Sequence, residues 1–320
     1  MLQFQPPGFI RQSLSLPQGT LAYYTQGDIP WPVEPLAQAP VLVFLHSLGG
    51  GSSAFEWSKV YAGLAHQYRI IAPDLMGWGA SDHPALDYQL EDYLQILRDL
   101  LQTLETHCAQ RPTAIIASSS IAAMLLRLAT EDHWQDHPLC DRFFLVSPSG
   151  YRDFGEDYRQ SLGALLAATP LLDRLIYNLG AANEFAIQNF LSQFLFANPQ
   201  RITEEMIQAY LASALQPNAE YAALAALKGN LFFDLSETLH RLTTPTTLVW
   251  GAQAKFSSVT TGRRLQQLNP QAITQFYEVP DSGVLCHLEQ PATLIALLGS
   301  VLNAHGFTAK VSTEQDLNFP

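Results

Sequence analysis

Short, uninterrupted apolar runs alternate along this chain with longer segments of helical period. Gln12 to Leu16 and Thr20 to Thr25 alternate apolar and polar residues around a Pro17-Gln18-Gly19 turn, which predicts an opening β-hairpin. Ile29 to Pro40 carries four prolines and predicts an irregular connection. Val41 to Leu45 is apolar throughout, as suits a strand buried on both faces of a parallel sheet. A helix is expected around Phe55 to His66, a strand at Arg69 to Asp74, and a helix from Gln89 to Thr106 whose leucines 94, 97, 100, 101 and 104 form one stripe. Pro112 to Leu126 breaks from an apolar run into serines and then into helix formers, which predicts strand, tight turn and a helix reaching about Ala129.

Later strands are expected at Arg142 to Val146, Thr246 to Gly251 and Ile273 to Val279, with helices at Val259 to Leu268 and Pro291 to His305. This alternation predicts a doubly wound, mostly parallel α/β sheet, with the loops that follow each strand gathered along one edge. Between Tyr151 and Leu242 the strand pattern gives way to leucine-rich and aromatic helical segments. The expected organisation is therefore a core of residues 1–150 and 243–305, a helical cap inserted at 151–242, and a polar tail at 306–320.

Composition narrows the chemistry. With 48% hydrophobic and 14% charged residues among 320, the chain can bury a large core. Its 17 basic against 29 acidic side chains leave a net charge of -12, which removes the driving force for binding a phosphate backbone, so nucleic acid is not an expected partner. Cys108, Cys140 and Cys286 are too few and too scattered for a disulfide framework or a metal knuckle, and favour a reducing compartment. No basic region followed by an apolar core opens the sequence, and no apolar run is long enough to span a bilayer, so a cytoplasmic location without a membrane span is expected. His133 and His137 have helical i, i+4 spacing but no third ligand, which reads as a solvated pair; neither a metal nor a cofactor is expected.

Four motifs carry the candidate chemistry: His46-Ser47-Leu48-Gly49-Gly50, Asp74-Leu75-Met76-Gly77-Trp78-Gly79-Ala80-Ser81, the elbow Ala117-Ser118-Ser119-Ser120-Ile121, and Leu288-Glu289-Gln290-Pro291. In order and spacing they resemble the α/β-hydrolase fold from about Leu14 to His305, and most of all its cap-bearing group of haloalkane dehalogenases, carbon-carbon hydrolases and pheophytinase-like enzymes. Glu56 to Tyr61 also resembles cyanobacterial members. The resemblance implies a nucleophile elbow centred on Ser119, or on Ser120 if the register shifts by one residue. With Ser119 at the centre, the backbone N–H groups of Leu48 and Ser120 would serve as oxyanion donors, His46 would brace their loop, and His46, Ser47 and Val284 would border the pocket.

The resemblance also exposes departures. Ala254 stands where the family places its acid, so the carboxylate would have to come from Asp153, or from Glu156 or Asp157, whose alternative is exposed charge at the start of the cap. Val284 stands where the histidine belongs, and His287 lies three residues farther on, displaced by ~4–5 Å at helical rise. His287 is thus either a displaced base or a helix-start residue with structural hydrogen bonds. Phe185, Phe190, Phe194 and Phe196, with Tyr177 and Tyr210, would line an apolar cavity or simply pack the cap. The expected function is an impaired or repurposed hydrolase that binds a small apolar or ester-like ligand or a protein partner. The alternatives are an active ester or carbon-carbon hydrolase using Ser119 and His287, and a non-catalytic assembly subunit.

Overall fold

The computed structural model describes residues 4–27, 38–156 and 182–303. Most of the proline-rich connection, Asp157, Tyr177, part of the helical insertion and the 306–320 tail lie outside the described residues. Eight strands, β1 (Phe9–Leu16), β2 (Gly19–Gln26), β3 (Val41–Leu45), β4 (Arg69–Pro73), β5 (Ala114–Ser118), β6 (Arg142–Val146), β7 (Thr246–Gly251) and β8 (Ile273–Val279), make one sheet in the order 1-2-4-3-5-6-7-8. The opening hairpin pairs antiparallel, and β2 meets β4 antiparallel; every other neighbour is parallel.

The continuously apolar central strands follow from burial on two sides. Val41, Val43 and Leu45 of β3 face one layer with Ile115 and Ala117 of β5, while Leu42 and Phe44 face the other with Ile116 and Phe144. The helices Leu90–Cys108 and Ser119–Ala129 cover the first face. Trp57, Val60 and Tyr61, together with the helix Pro291–Asn303, cover the second. The segment expected as one helix over Phe55 to His66 is instead three short turns, Ala54–Trp57, Ser58–Tyr61 and Ala62–Leu64. At Gly63 a Cβ would lie 2.7 Å from the side chain of Ile295, so this segment packs closely on the final helix.

After β6 the chain leaves the sheet and returns at β7. The described part of this excursion is helical, including Glu184–Phe190, Glu204–Ala214 and Ala219–Lys228. Among the described residues no helix is long and apolar enough to cross a membrane. The turn after β4 ties this excursion to the sheet. Asp74 is buried and accepts from the amides of Ala54 (2.7 Å) and Ala80 (2.8 Å), and the amide of Gly79 donates to Ser213 Oγ on the helix Glu204–Ala214 (2.9 Å).

Gly77 and Gly79 have φ of 85° and 56°, and a Cβ on Gly79 would fall 2.2 Å from the Asp74 carboxyl carbon. Side chains are penalised twice at such a position, by backbone strain and by collision. Gly79→Ala should therefore destabilise the protein by about 2 kcal/mol or more, as read from chemical denaturation; an unchanged midpoint would show that the turn relaxes freely.

Candidate active site

β3 and β5 are neighbours whose following segments depart to opposite faces, so the loops at their carboxyl ends open a crevice. Ser119 stands in it at the junction of β5 and the helix Ser119–Ala129. Its φ is 54°, a left-handed conformation that costs about 1–2 kcal/mol for a residue with a side chain and that turns the strand sharply into the helix. Ser119, rather than Ser120, holds this conformation. Ala117 and Ile121, in place of the smaller residues usual on either side, are fully buried in the core.

The Ser119 hydroxyl lies 2.8 Å from Tyr151 Oη, its one hydrogen-bond partner among the described residues. Tyr151 has φ of 61° and stacks on Phe232 at 4.9 Å between ring centroids. Burial pushes its phenol pKa up, against the hydrogen bond shared with Ser119. The turn that presents Tyr151 is organised by Asp153. That carboxylate accepts from Ser149 Oγ (3.2 Å) and from the amides of Gly150 (3.0 Å) and Leu235 (3.0 Å). It is fully buried, not an exposed charge at the start of the cap, because these donors replace its water. Burial lifts its pKa to about 6 despite them. No histidine is among its partners in the described residues, whereas Glu156 is exposed and pairs with Arg264.

The loop after β3 supplies the facing wall. His46 Nε2 accepts from the amide of Leu75 (2.9 Å), so the ring carries its hydrogen on Nδ1, which donates to the carbonyl of Ser47 (2.6 Å). Ser47 donates through its amide (2.8 Å) and its hydroxyl (2.9 Å) to Glu56, a fully buried carboxylate that also accepts from Tyr210 Oη (2.9 Å). Burial opposes ionisation of Glu56, but the neighbouring imidazoles, His287 first, outweigh it and leave the pKa at about 2. The amides of Leu48 and Ser120 have no acceptor among the described residues; the latter belongs to a first helical turn, where none exists within the helix.

His287 is fully buried in the short helix Cys286–Glu289, stacked on Trp57 at 4.0 Å and 15°. Its Nε2 lies 3.9 Å from Glu56 Oε2, an ion-pair distance longer than a hydrogen bond, and neither ring nitrogen is hydrogen-bonded among the described residues. The structural hydrogen bonds expected of a helix-start histidine are therefore absent there; the aromatic stack and the carboxylate hold the ring. Val284 packs with Leu195 and Phe196.

The alpha/beta hydrolase family model matches residues 42–297. The chain belongs to the alpha/beta hydrolase family. An uncharacterized protein of Mycobacterium tuberculosis is 36% identical over 111 residues, 35% of this chain, and the match spans only 30% of that relative's length. The 2-(acetamidomethylene)succinate hydrolase of Mesorhizobium japonicum is 25% identical over 76% of this chain and 82% of its own. Among solved structures, a meta-cleavage product hydrolase from Pseudomonas fluorescens superposes with a TM-score of 0.70 at 19% identity, covering 92% of this chain and 98% of that one.

Set in the alpha/beta hydrolase frame, the structure brings Ser119, Leu48, Ser120, His46 and Ser47 to one crevice edge and holds His287 in a separate pair with Glu56. Sequence reasoning missed Tyr151, Glu56 and the polar role of Tyr210. Glu56 had a signal, a lone charge within Ala54-Phe55-Glu56-Trp57; Tyr151 had none beyond its place after β6. The aromatic run divides: Phe185 is 80% exposed, Phe196 and Tyr210 are buried, and Phe190 and Phe194 are half-buried. Two cavities, of about 610 Å³ beside Phe4–Pro7 and about 360 Å³ beside Arg201, Gln253 and Asp281, are lined neither by Ser119 nor by Tyr151. Among the described residues no cluster of His, Cys, Asp and Glu could hold a metal ion.

Among the described residues three shifted carboxylates set a pH dependence, Asp74 being raised by burial like Asp153. Asp153 is raised from 3.8 to about 6, so its contribution to stability is full below the unfolded value and is lost as pH rises through about 6. Glu56 is lowered from 4.5 to about 2, so its contribution is present above 4.5 and is lost as pH falls through about 2. Denaturation midpoints should decline between about pH 4 and pH 6 in the wild type and decline less in Asp153→Asn, which keeps the raised Asp74 and whose amide can keep the same partners. An equal decline in both proteins would remove Asp153 as the cause.

Proposed function

We propose that this chain is an alpha/beta hydrolase family member with impaired acyl transfer, which uses Ser119, the Leu48 and Ser120 amides and a helical cap of residues 151–242 to bind a small apolar or ester-like ligand. The observation that carries this reading is the partner of the Ser119 hydroxyl, Tyr151 at 2.8 Å. Acyl transfer requires a group that accepts the serine proton as the oxygen attacks. A tyrosine whose phenol pKa is pushed above its usual value stays protonated, so it can share a hydrogen bond but takes no proton.

The two amides supply what remains, a pair of donors for a carbonyl oxygen. Such a site binds esters, lactones or ketones by their oxygen and an apolar body, and turns them over slowly. Ala254 and Val284, at the places of the family's acid and base, support the same reading. The competing account, an active hydrolase with His287 as base, needs that imidazole to leave Trp57 and Glu56 and reach Ser119.

Labelling by a fluorophosphonate separates the two. The wild type should react at least about 10³-fold more slowly than a serine hydrolase with an intact triad. Ser119→Ala should abolish the residual label, and Tyr151→Phe, which frees the hydroxyl without adding a base, should change the rate by less than about tenfold. Rapid wild-type labelling that disappears in both Ser119→Ala and His287→Ala would sink the impaired-hydrolase reading.

A further inference from the structure

We infer that Glu56 is a positioning residue: its carboxylate, with His287 as counter-ion, fixes the oxyanion loop and seats the cap helix Glu204–Ala214 upon it. The inference stands apart from the fate of Ser119, since it concerns how the loop is held rather than whether the serine reacts.

The loop argument rests on peptide geometry. Ser47 gives both its amide and its hydroxyl to Glu56, and its carbonyl accepts from His46 Nδ1. That carbonyl belongs to the same planar peptide unit as the Leu48 N–H, so pinning one aims the other. Ser52 extends the hold, with its hydroxyl 3.0 Å from both Ser47 Oγ and the Gly49 amide. Glu56 holds the Ser47 amide and hydroxyl while His46 holds its carbonyl, so together they aim the Leu48 donor.

The same carboxylate reaches the cap. Tyr210 Oη donates to Glu56 Oε1, and three residues along that helix Ser213 Oγ donates to the carbonyl of Ser52 (2.9 Å). Contact is close enough that a Cβ on Gly51, whose φ is 85°, would lie 2.5 Å from the Tyr210 carbonyl. Loop and helix thus meet backbone to backbone around one buried acid.

A buried carboxylate satisfied only by neutral donors still carries uncompensated charge, which is costly. His46 offers no second ring hydrogen, because its Nε2 accepts from Leu75. Tyr210, Ser47 and Ser52 are neutral donors. His287 remains: its Nε2 faces Glu56 at 3.9 Å, its nitrogens have no competing partner among the described residues, and its ring lies flat on Trp57, an arrangement that favours a cation over the indole face. Trp57 is itself fixed by the bond from its Nε1 to the carbonyl of Leu45 (2.9 Å).

A double-mutant cycle on the full chain tests the assignment, using amide hydrogen exchange over Gly49–Ser52 and Glu204–Ala214 as readout. His287→Gln leaves the carboxylate without its counter-ion and should lower protection there by tenfold or more. In a Glu56→Gln background, where the amide can donate to the Ser47 and Tyr210 hydroxyls, the same substitution should change protection by less than threefold. Nitrogen NMR of the His287 ring should show both ring-nitrogen shifts moving in Glu56→Gln, as expected if the carboxylate faces the imidazole. Ring shifts unchanged by Glu56→Gln, or equal losses from His287→Gln in the two backgrounds, would overturn the inference. The rate of fluorophosphonate labelling of wild-type Ser119, with Glu56 and His287 unchanged, reads the proposed function separately from either result.

Discussion

The adjacency of β3 and β5 is the constraint on which the rest of this structure depends. Both strands are parallel and buried on two faces, yet the segment after β3 turns toward Trp57 and the final helix while the segment after β5 turns toward the helices on the opposite side. Two loops that diverge from neighbouring strand ends leave unpaired amides in a crevice. Leu48 and Ser120 own those amides, and the left-handed backbone of Ser119 sets its hydroxyl against Tyr151 in the turn after β6. The chemistry available to the protein is set by what else reaches that edge.

Tyr151 takes the serine hydroxyl, on a turn that Asp153 holds through backbone amides. The one imidazole that follows β8 in the described residues lies on the second face of the sheet, over Trp57 and beside Glu56. Asp153 is bound to backbone amides and Ser149, and His287 lies over Trp57 beside Glu56, so both belong to a buried scaffold around the crevice. The scaffold is polar and buried, so it specifies geometry strongly: every donor left without its acceptor would cost more than the bond contributes.

The fold was legible because its signals are local. Val41–Leu45, Arg142–Val146, Thr246–Gly251 and Ile273–Val279 form strands at the predicted limits, since an apolar run flanked by turn residues has few other ways to be buried. The turn Asp74 to Ser81 was legible because its glycines answer to backbone angles. The segment after β3 was less so: it packs at Gly63 on Ile295, more than two hundred residues away in sequence. The site was legible only in part. Ser119 follows from the strand-to-helix turn, but the partner of its hydroxyl depends on how the chain bends after β6.

By itself the sequence determined the order of strands and helices and a serine strand-to-helix turn within Ser118–Ser120, because each is written in residue identity and spacing. Only the tertiary structure decided that Ser119 meets Tyr151, that Asp153 is buried against backbone amides, and that Glu56, Tyr210 and His287 converge from three separate segments. Hydrogen bonds across 32 residues, between Ser119 and Tyr151, or 154, between Glu56 and Tyr210, leave no periodic trace along the chain. Their partners are selected by packing and by the requirement that buried polar groups be satisfied.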